Sequence, residues 1–413
     1  MSQSGSGSSL PQRIVVLGAG FAGLWSAVGA ARKLDELGLG PDRVRVTVVD
    51  RNPWHSIRVR NYEADLDPTR VPLDEVLRPI GVERVEAEIT SIDLARREVL
   101  CAGRSPFPYD RLVFALGSRL ARPPIPGLDA HAFDVDTYEA GCRLNTHIAA
   151  LPGREASPGR YAALVIGGGL TGIEAAAELP GKLRAAIADP SARPRVILAD
   201  RQPWIGSDMG EEARVVIAEA LAALGVETRP GVSVAAVDAE GATLSSGERI
   251  AAGTVVWCAG MQAHPLTRLF PVECDRLGRL PVDEFLKVNG MTAEFATGDA
   301  AWFAIDGTHS CVMSCQHGRP MGRFAGHNVV CDLLGLPMLP LRIDWYTTIL
   351  DLGPWGAVCT EGWDRRVATT GLAAKRTKEN INRVRIYPPR SGDRHEIFAA
   401  AAPSVQPPPS FFR

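Results

Sequence analysis

Arg13-Ile-Val-Val-Leu17-Gly18-Ala19-Gly20-Phe21-Ala22-Gly23 opens the stretch that decides the fold, and Arg45-Val-Thr-Val-Val49-Asp50 closes it. The run 13–17 is almost wholly apolar, the pattern of a strand buried on both faces of a parallel sheet. Beyond Gly23, apolar Leu24, Ala27, Val28, Ala31 and Leu34 recur at helical spacing. Strand, glycine loop, helix and a second strand ending in an acid make a βαβ unit of the dinucleotide-binding type. Gly18 permits the tight turn, Gly20 lets the backbone approach a pyrophosphate, and Gly23 lets helix pack on strand. The helix start offers unpaired N–H groups to phosphates, and Asp50 can accept from ribose hydroxyls.

The same pattern returns further along. Leu164-Val-Ile166 is a strand, Gly167-Gly-Gly169-Leu-Thr171-Gly172 a second glycine loop opening a helix over 173–179, and Arg195-Val-Ile-Leu-Ala199 the next strand, closed by Asp200. Two complete fingerprints form an internal repeat and imply two dinucleotide sites. Between them, 83–115 reads as a small antiparallel excursion (Arg84–Ile89, Arg97–Cys101, Arg111–Leu116) that rejoins the sheet at Tyr109–Ser118, with a glycine turn at Gly117. Arg122-Pro-Pro-Ile-Pro-Gly127 reads as a crossover between domains. Residues 253–260 mirror that strand-to-glycine turn in the second half, ending at Gly260. Glu294-Phe-Ala-Thr-Gly298-Asp299-Ala300 delivers an acid at a turn, and a helix is expected near Ser314–Leu334, with Gln316 and His317 at its start.

Bulk properties narrow the function. The chain has 413 residues, enough for two or three domains, and a formal net charge of −2. No basic field points to nucleic acid. The Ser/Gly-rich start, 1–11, reads as a flexible leader, and no run of about 18 apolar residues is present to span a membrane. Eight scattered cysteines argue for reduced thiols and a cytoplasmic location. No Cys/His spacing suggests a metal site, and Cys311 and Cys315 read as buried structural thiols. His55, His264, His309 and His317 are dispersed; only His317, beside Gln316, draws attention. Lys375, Arg376 and Lys378 in 372–381 read as a solvated face, and the Pro-rich tail 388–413 as disordered.

Five segments, Gly18–Gly23, Tyr109–Ser118, Gly167–Glu178, Val255–Gly260 and Thr297–Ala300, together resemble the flavoprotein reductases built on two dinucleotide folds. Gly-Gly-Gly-Leu-Thr-Gly-Ile-Glu174 and Trp257-Cys-Ala-Gly-Met-Gln-Ala-His-Pro-Leu266 are most similar to type II NADH:quinone oxidoreductases, over roughly 13–335. The resemblance implies an α/β fold of two Rossmann-like domains, the second inserted in the first, plus a C-terminal α+β segment. It places an FAD-binding domain at 12–120 and 275–335, an NAD(P)H-binding domain at 121–274 and a cap or dimer segment at 336–387. Asp299 would hold the ribityl or phosphate region of FAD, and Glu174 would lie near the nicotinamide. Phe21, Ala22, Arg51, Ser118, Gly117, Gly260 and Gly298 complete the expected cofactor contacts. Asp200 favours NADH over NADPH, because a carboxylate repels a 2′-phosphate.

Departures count as well. No cysteine lies between Met1 and Leu100, so the redox pair of disulfide reductases is missing, as is the cysteine that sulfide:quinone reductases carry in the second glycine motif. The family's quinone helix carries Gln-x-x-x-Gln; here Gln316 stands and Pro320 replaces the second. The expected reaction is hydride transfer from NADH to FAD, then reduction of a quinone or similar small acceptor by way of Glu174, Gln316 and His317. Peripheral membrane contact is not expected. The alternatives are a soluble reductase of a small redox protein and a biosynthetic flavin oxidoreductase with a dedicated metabolite.

Overall fold

The computed structural model describes residues 10–189 and 191–411. The leader expected at 1–11 therefore lies, but for Leu10 and Pro11, outside the described residues. Strand Gln12–Leu17 sits at the centre of a five-stranded parallel sheet. Val44–Asp50 and then Glu83–Glu86 lie on one side of it, Arg111–Phe114 and then Glu294–Ala296 on the other. Ala162–Ile166 holds the same place in a second parallel sheet. It is flanked by Arg195–Ala199 and Val226–Arg229, and by Thr254–Trp257 and Ala132–Phe133. The first sheet takes its last strand from residues 294–296, so the second unit is inserted within the first.

Each sheet carries a three-stranded antiparallel flap, at 89–108 and at 234–251. The first flap is narrower than the sequence suggests. The run Arg84–Ile89 divides, its first half being the edge strand of the parallel sheet and only Ile89 entering the flap. As an edge strand paired only with Val44–Asp50 it carries the charges of Glu83, Arg84 and Glu86, unlike the apolar strands inside the sheet.

Helix Phe21–Glu36, which follows the first glycine loop, packs lengthwise on helix Cys315–Leu334. Contact this close requires glycines. A Cβ at Gly322 would stand 2.3 Å from the Ala22 carbonyl, and one at Gly326 would stand 2.2 Å from that of Ser26. The second helix contains three glycines and, inside it, Pro320. These are poor formers locally, yet burial between the first sheet and helix 21–36 keeps the helix continuous. Trp25, Phe114 and Phe295 are fully buried around this contact, and each such side chain contributes roughly 1.5–3 kcal/mol.

The C-terminal segment forms an antiparallel sheet (Thr347–Asp351, Ala357–Glu361, Arg366–Thr370) and helix Gly371–Asn380, which continues into a wider turn at Ile381–Arg385. The tail departs from the expectation of disorder at 388–413 over its described part, which ends at residue 411. Helix Arg394–Ala400 is capped by Asp393, whose carboxylate accepts from the Glu396 amide at 2.8 Å, and buries Ile397 and Phe398 in the main core. Arg394 also pairs with Asp35 at 2.6 Å. Two buried apolar residues and a cap outweigh the surrounding prolines.

Candidate active site

A cavity of about 1090 Å³ lies between the two parallel sheets and the C-terminal segment. It exceeds the roughly 300–1,000 Å³ typical of small-ligand pockets. Three helices begin at its wall: Phe21–Glu36 after Gly20, Leu170–Ala186 after Gly169, and Cys315–Leu334 after Ser314. None has a side-chain cap, so their first N–H groups and the positive ends of their dipoles face the space.

The loops fit phosphates. Gly18 has φ +91°, and a Cβ at Gly23 would meet the Gly18 carbonyl at 2.0 Å, so both glycines serve the backbone itself. At Gly20 and at Gly169, by contrast, a Cβ meets no protein atom within 4 Å. Each hydrogen there points at free space, the cradle a dinucleotide phosphate needs.

The repeat extends to hydrogen bonds. Asp50 accepts from the Ala19 amide at 2.7 Å and from the Asn52 amide at 2.8 Å. Asp200 accepts from the Gly168 amide and, at 2.6 Å, from that of Gln202. Each carboxylate thus braces its own glycine loop and keeps about half of its roughly four lone-pair positions for a ribose. Burial raises the Asp50 pKa, and the two amide bonds oppose that rise.

Opposite the first loop, Ser118 Oγ donates to Asp299 Oδ2 at 2.6 Å. Arg58 donates to Ser118 Oγ at 2.9 Å and pairs with Asp136. Burial raises the Asp299 pKa, while Ser118 and Arg58 hold it down. His55 is fully buried behind the loop. Its Nδ1–H donates to the Ala19 carbonyl at 2.9 Å, and burial lowers its pKa to about 4.

On the other side Glu174 is buried and accepts from Lys378 Nζ at 2.7 Å and from the Asp351 amide at 3.1 Å. Burial raises its pKa against the pull of Lys378. Lys378 is itself buried, which corrects the reading of 372–381 as a solvated face. Lys375 pairs with Asp351 at 2.5 Å, so two of its three cations are spent on internal carboxylates. The helical pattern there is visible, but Glu174, the partner of Lys378, lies 204 residues away.

Of the residues singled out from sequence, Gly18, Gly20, Phe21, Ala22, Asp50, Arg51, Gly117, Ser118, Gly169, Thr171, Glu174, Gly260, Gly298, Asp299 and Gln316 line the cavity. Gly23, Gly167 and Gly172 stand behind the wall, and Asp200 lies outside the lining, against the second glycine loop and partly exposed. His317 does not reach the cavity. It is fully buried, its Nδ1 accepting from the Val312 amide at 2.9 Å and its ring set edge-on to Tyr346. One residue further along a helix turns the side chain by about 100°, which separates it from Gln316. Gln316 Oε1 accepts from Thr347 Oγ1 at 3.3 Å, and its Nε2 is buried without a partner. Arg58 and Asp136 escaped the sequence reading, and His55 and Lys378 were read only as a dispersed histidine and a surface charge, since nothing in their spacing marks a contact across the fold.

All eight thiols are free, and burial pushes the Cys311 and Cys315 pKa values up. Among the described residues no group of three His, Cys, Asp or Glu is placed to hold a metal. No described helix is long and apolar enough to cross a membrane.

The family model for pyridine nucleotide-disulphide oxidoreductases matches residues 12–322. The chain belongs to that family. This pyridine nucleotide oxidoreductase is 56% identical over 398 residues to an NADH dehydrogenase-like protein of Mycobacterium tuberculosis, covering 96% of this chain and 100% of the relative. It is 28% identical over 355 residues to the demethylphylloquinone reductase NdbB of a Synechocystis species, covering 84% and 86%. Among solved structures, NDH2 from Plasmodium falciparum in complex with NADH superposes with a TM-score of 0.76 at 14% identity, covering 94% and 97%, a likeness of fold. The chain is therefore an NAD(P)H-dependent flavoprotein oxidoreductase. It carries the family's two-domain frame without a disulfide among its cysteines.

Proposed function

We propose that the protein passes hydride from NADH to FAD and then electrons to a quinone-like small acceptor. The observation that carries this reading is the meeting of three uncapped helix starts on one cavity, one from each dinucleotide unit and one beside Gln316. Bound FAD supplies the redox chemistry, taking a hydride from a nicotinamide and giving up electrons singly or in pairs.

The chain's own residues hold and orient. The amides after Gly20 and the Asp50 carboxylate would take the pyrophosphate and ribose of FAD, with Asp299 at its ribityl region. The amides after Gly169 and the Asp200 carboxylate would do the same for NADH, and Asp200 disfavours the extra phosphate of NADPH. Glu174, fixed by Lys378, presents a carboxylate at the nicotinamide side of the space. The dipole of helix Cys315–Leu334 stabilises negative charge at its start. The buried, unpartnered Gln316 amide is a hydrogen-bond donor for an acceptor oxygen.

Support for a quinone comes from the cavity-lining Gln316 and from the quinone reductase among the relatives. Pro320 also lines the cavity, so the helix presents one glutamine amide there instead of two. Steady-state NADH oxidation with a panel of uncharged quinones tests the reading. Turnover well above the rate with oxygen alone supports it, and none above that rate refutes it.

A further inference from the structure

Gln316, Arg319, Pro320 and Arg323 all line the cavity, and their spacing of three, four and seven puts them on one face of helix Cys315–Leu334. The two arginines are only 6% and 2% exposed. Neither has a carboxylate partner among the described residues. Arg319 Nη1 donates to the neutral Gln406 Oε1 at 3.3 Å, the Nε of each guanidinium is unpartnered, and both groups lie over the Trp25 ring, at 5.4 and 4.6 Å. Arg385, on the turn facing them, also lines the cavity and donates to the Pro407 carbonyl.

Elsewhere along this cavity the cations without a carboxylate among the described residues are Arg51, Arg119 and Arg143, which are exposed, and Arg70, half-buried over the Tyr138 ring. The others are matched. Arg58 pairs with Asp136, Arg122 with Asp134, and Lys378 with Glu174. At the arginine end burial lowers the pKa of Arg319 to about 10 and of Arg323 to about 9, and the neighbouring arginines push the same way. A buried cation cluster without an anion is costly unless a ligand brings one. The cofactor phosphates already have the helix starts at Gly20 and Gly169. Arg323 lies seven residues, or about 10 Å of helix, beyond Gln316. Arginine forks suit planar oxyanions.

We infer that Arg319, Arg323 and Arg385 form a carboxylate subsite, and that the electron acceptor is an aromatic, quinone-like compound bearing a carboxylate, with its ring towards Gln316 and its anionic group on the arginines. This rests on the reading that the acceptor binds against Gln316. The site then reads the acceptor by charge as well as by shape, and neutral quinones become the poorer substrates.

The test is calorimetric binding of 2-naphthoate and of its neutral isostere 2-naphthamide to the FAD-loaded protein. Hydrogen bonds to a charged group predict that the carboxylate binds about tenfold to a hundredfold more tightly. Arg323→Gln, and separately the half-exposed Arg385→Gln, should each shrink that ratio, with the affinity for naphthamide reporting that the pocket is intact. Equal binding of the two probes, binding of neither, or a ratio that survives both substitutions would overturn the inference. Loss of flavin from Arg323→Gln, with the full ratio kept in Arg385→Gln, would assign the arginines to cofactor phosphates and overturn it too. Turnover of uncharged 1,4-naphthoquinone by the same preparation reads the quinone assignment separately.

Discussion

Replacing Gly20 by valine separates binding from folding. Gly20 has φ −67° and ψ −168°, a conformation open to valine, and a Cβ there meets no protein atom within 4 Å. The apo protein should therefore fold with nearly wild-type stability. The added methyls enter the space where the pyrophosphate would meet the first amides of helix Phe21–Glu36. Losing two charge-assisted hydrogen bonds of about 1.5–3 kcal/mol each weakens FAD by about 3–6 kcal/mol, or roughly a hundredfold to ten-thousandfold in Kd. Gly23→Val is the contrast, since its Cβ would sit 2.0 Å from the Gly18 carbonyl and must disrupt the loop itself. Flavin titration of the apoproteins, with thermal unfolding of the same samples, distinguishes the two. An FAD affinity for Gly20→Val within about threefold of wild type would refute the placement of the pyrophosphate.

Four further outcomes follow from the site. Asp200→Ala should lower kcat/KM for NADH by about tenfold or more and narrow its advantage over NADPH, and a wild-type preference for NADPH would contradict the role given to this carboxylate. Lys378→Met strands the buried Glu174 carboxylate and should cost about 3–5 kcal/mol in urea unfolding. The Glu174→Gln/Lys378→Met double variant should lose less than the sum of the singles by about 1–3 kcal/mol, and strict additivity would deny the coupling. Gln316→Ala should slow flavin reoxidation by a quinone about fivefold, the worth of one hydrogen bond, in stopped-flow mixing; a defect confined to reduction by NADH would contradict its place at the acceptor. Burial lowers the His317 pKa from 6.5 to about 4, so between these values the unfolded chain binds the extra proton. This group's contribution is complete above pH 6.5 and is lost as pH falls towards 4. His317→Gln should flatten the acid side of the stability profile by at most about 1.4 kcal/mol per pH unit, and an unchanged slope would argue against a buried neutral ring.

The parts legible in the sequence are those whose chemistry is local. The glycine loops, the flanking strands and the acids Asp50 and Asp200 sit in short windows where turn geometry and burial impose residue type. The structure places them as two copies of one device, down to the amide bonds on each carboxylate. Long-range partnerships were not legible. Lys378 looks like one charge among several on a polar helix until Glu174 is found 204 residues away. His317 looks like a neighbour of Gln316 until the helix turn separates them. The tail was misread because its prolines outnumber the two apolar side chains that anchor helix Arg394–Ala400. Pro320 sits in a continuous helix because glycine-mediated packing on helix Phe21–Glu36 overrides its local cost.

The most direct test is sequential anaerobic stopped-flow mixing of the FAD-loaded protein, first with NADH and then with 1,4-naphthoquinone, following the visible absorbance of the flavin. A single cavity that serves donor and acceptor predicts bleaching in the first mix and recovery in the second, each at least as fast as steady-state turnover. Flavin that NADH bleaches but that the quinone restores no faster than buffer does would contradict the account.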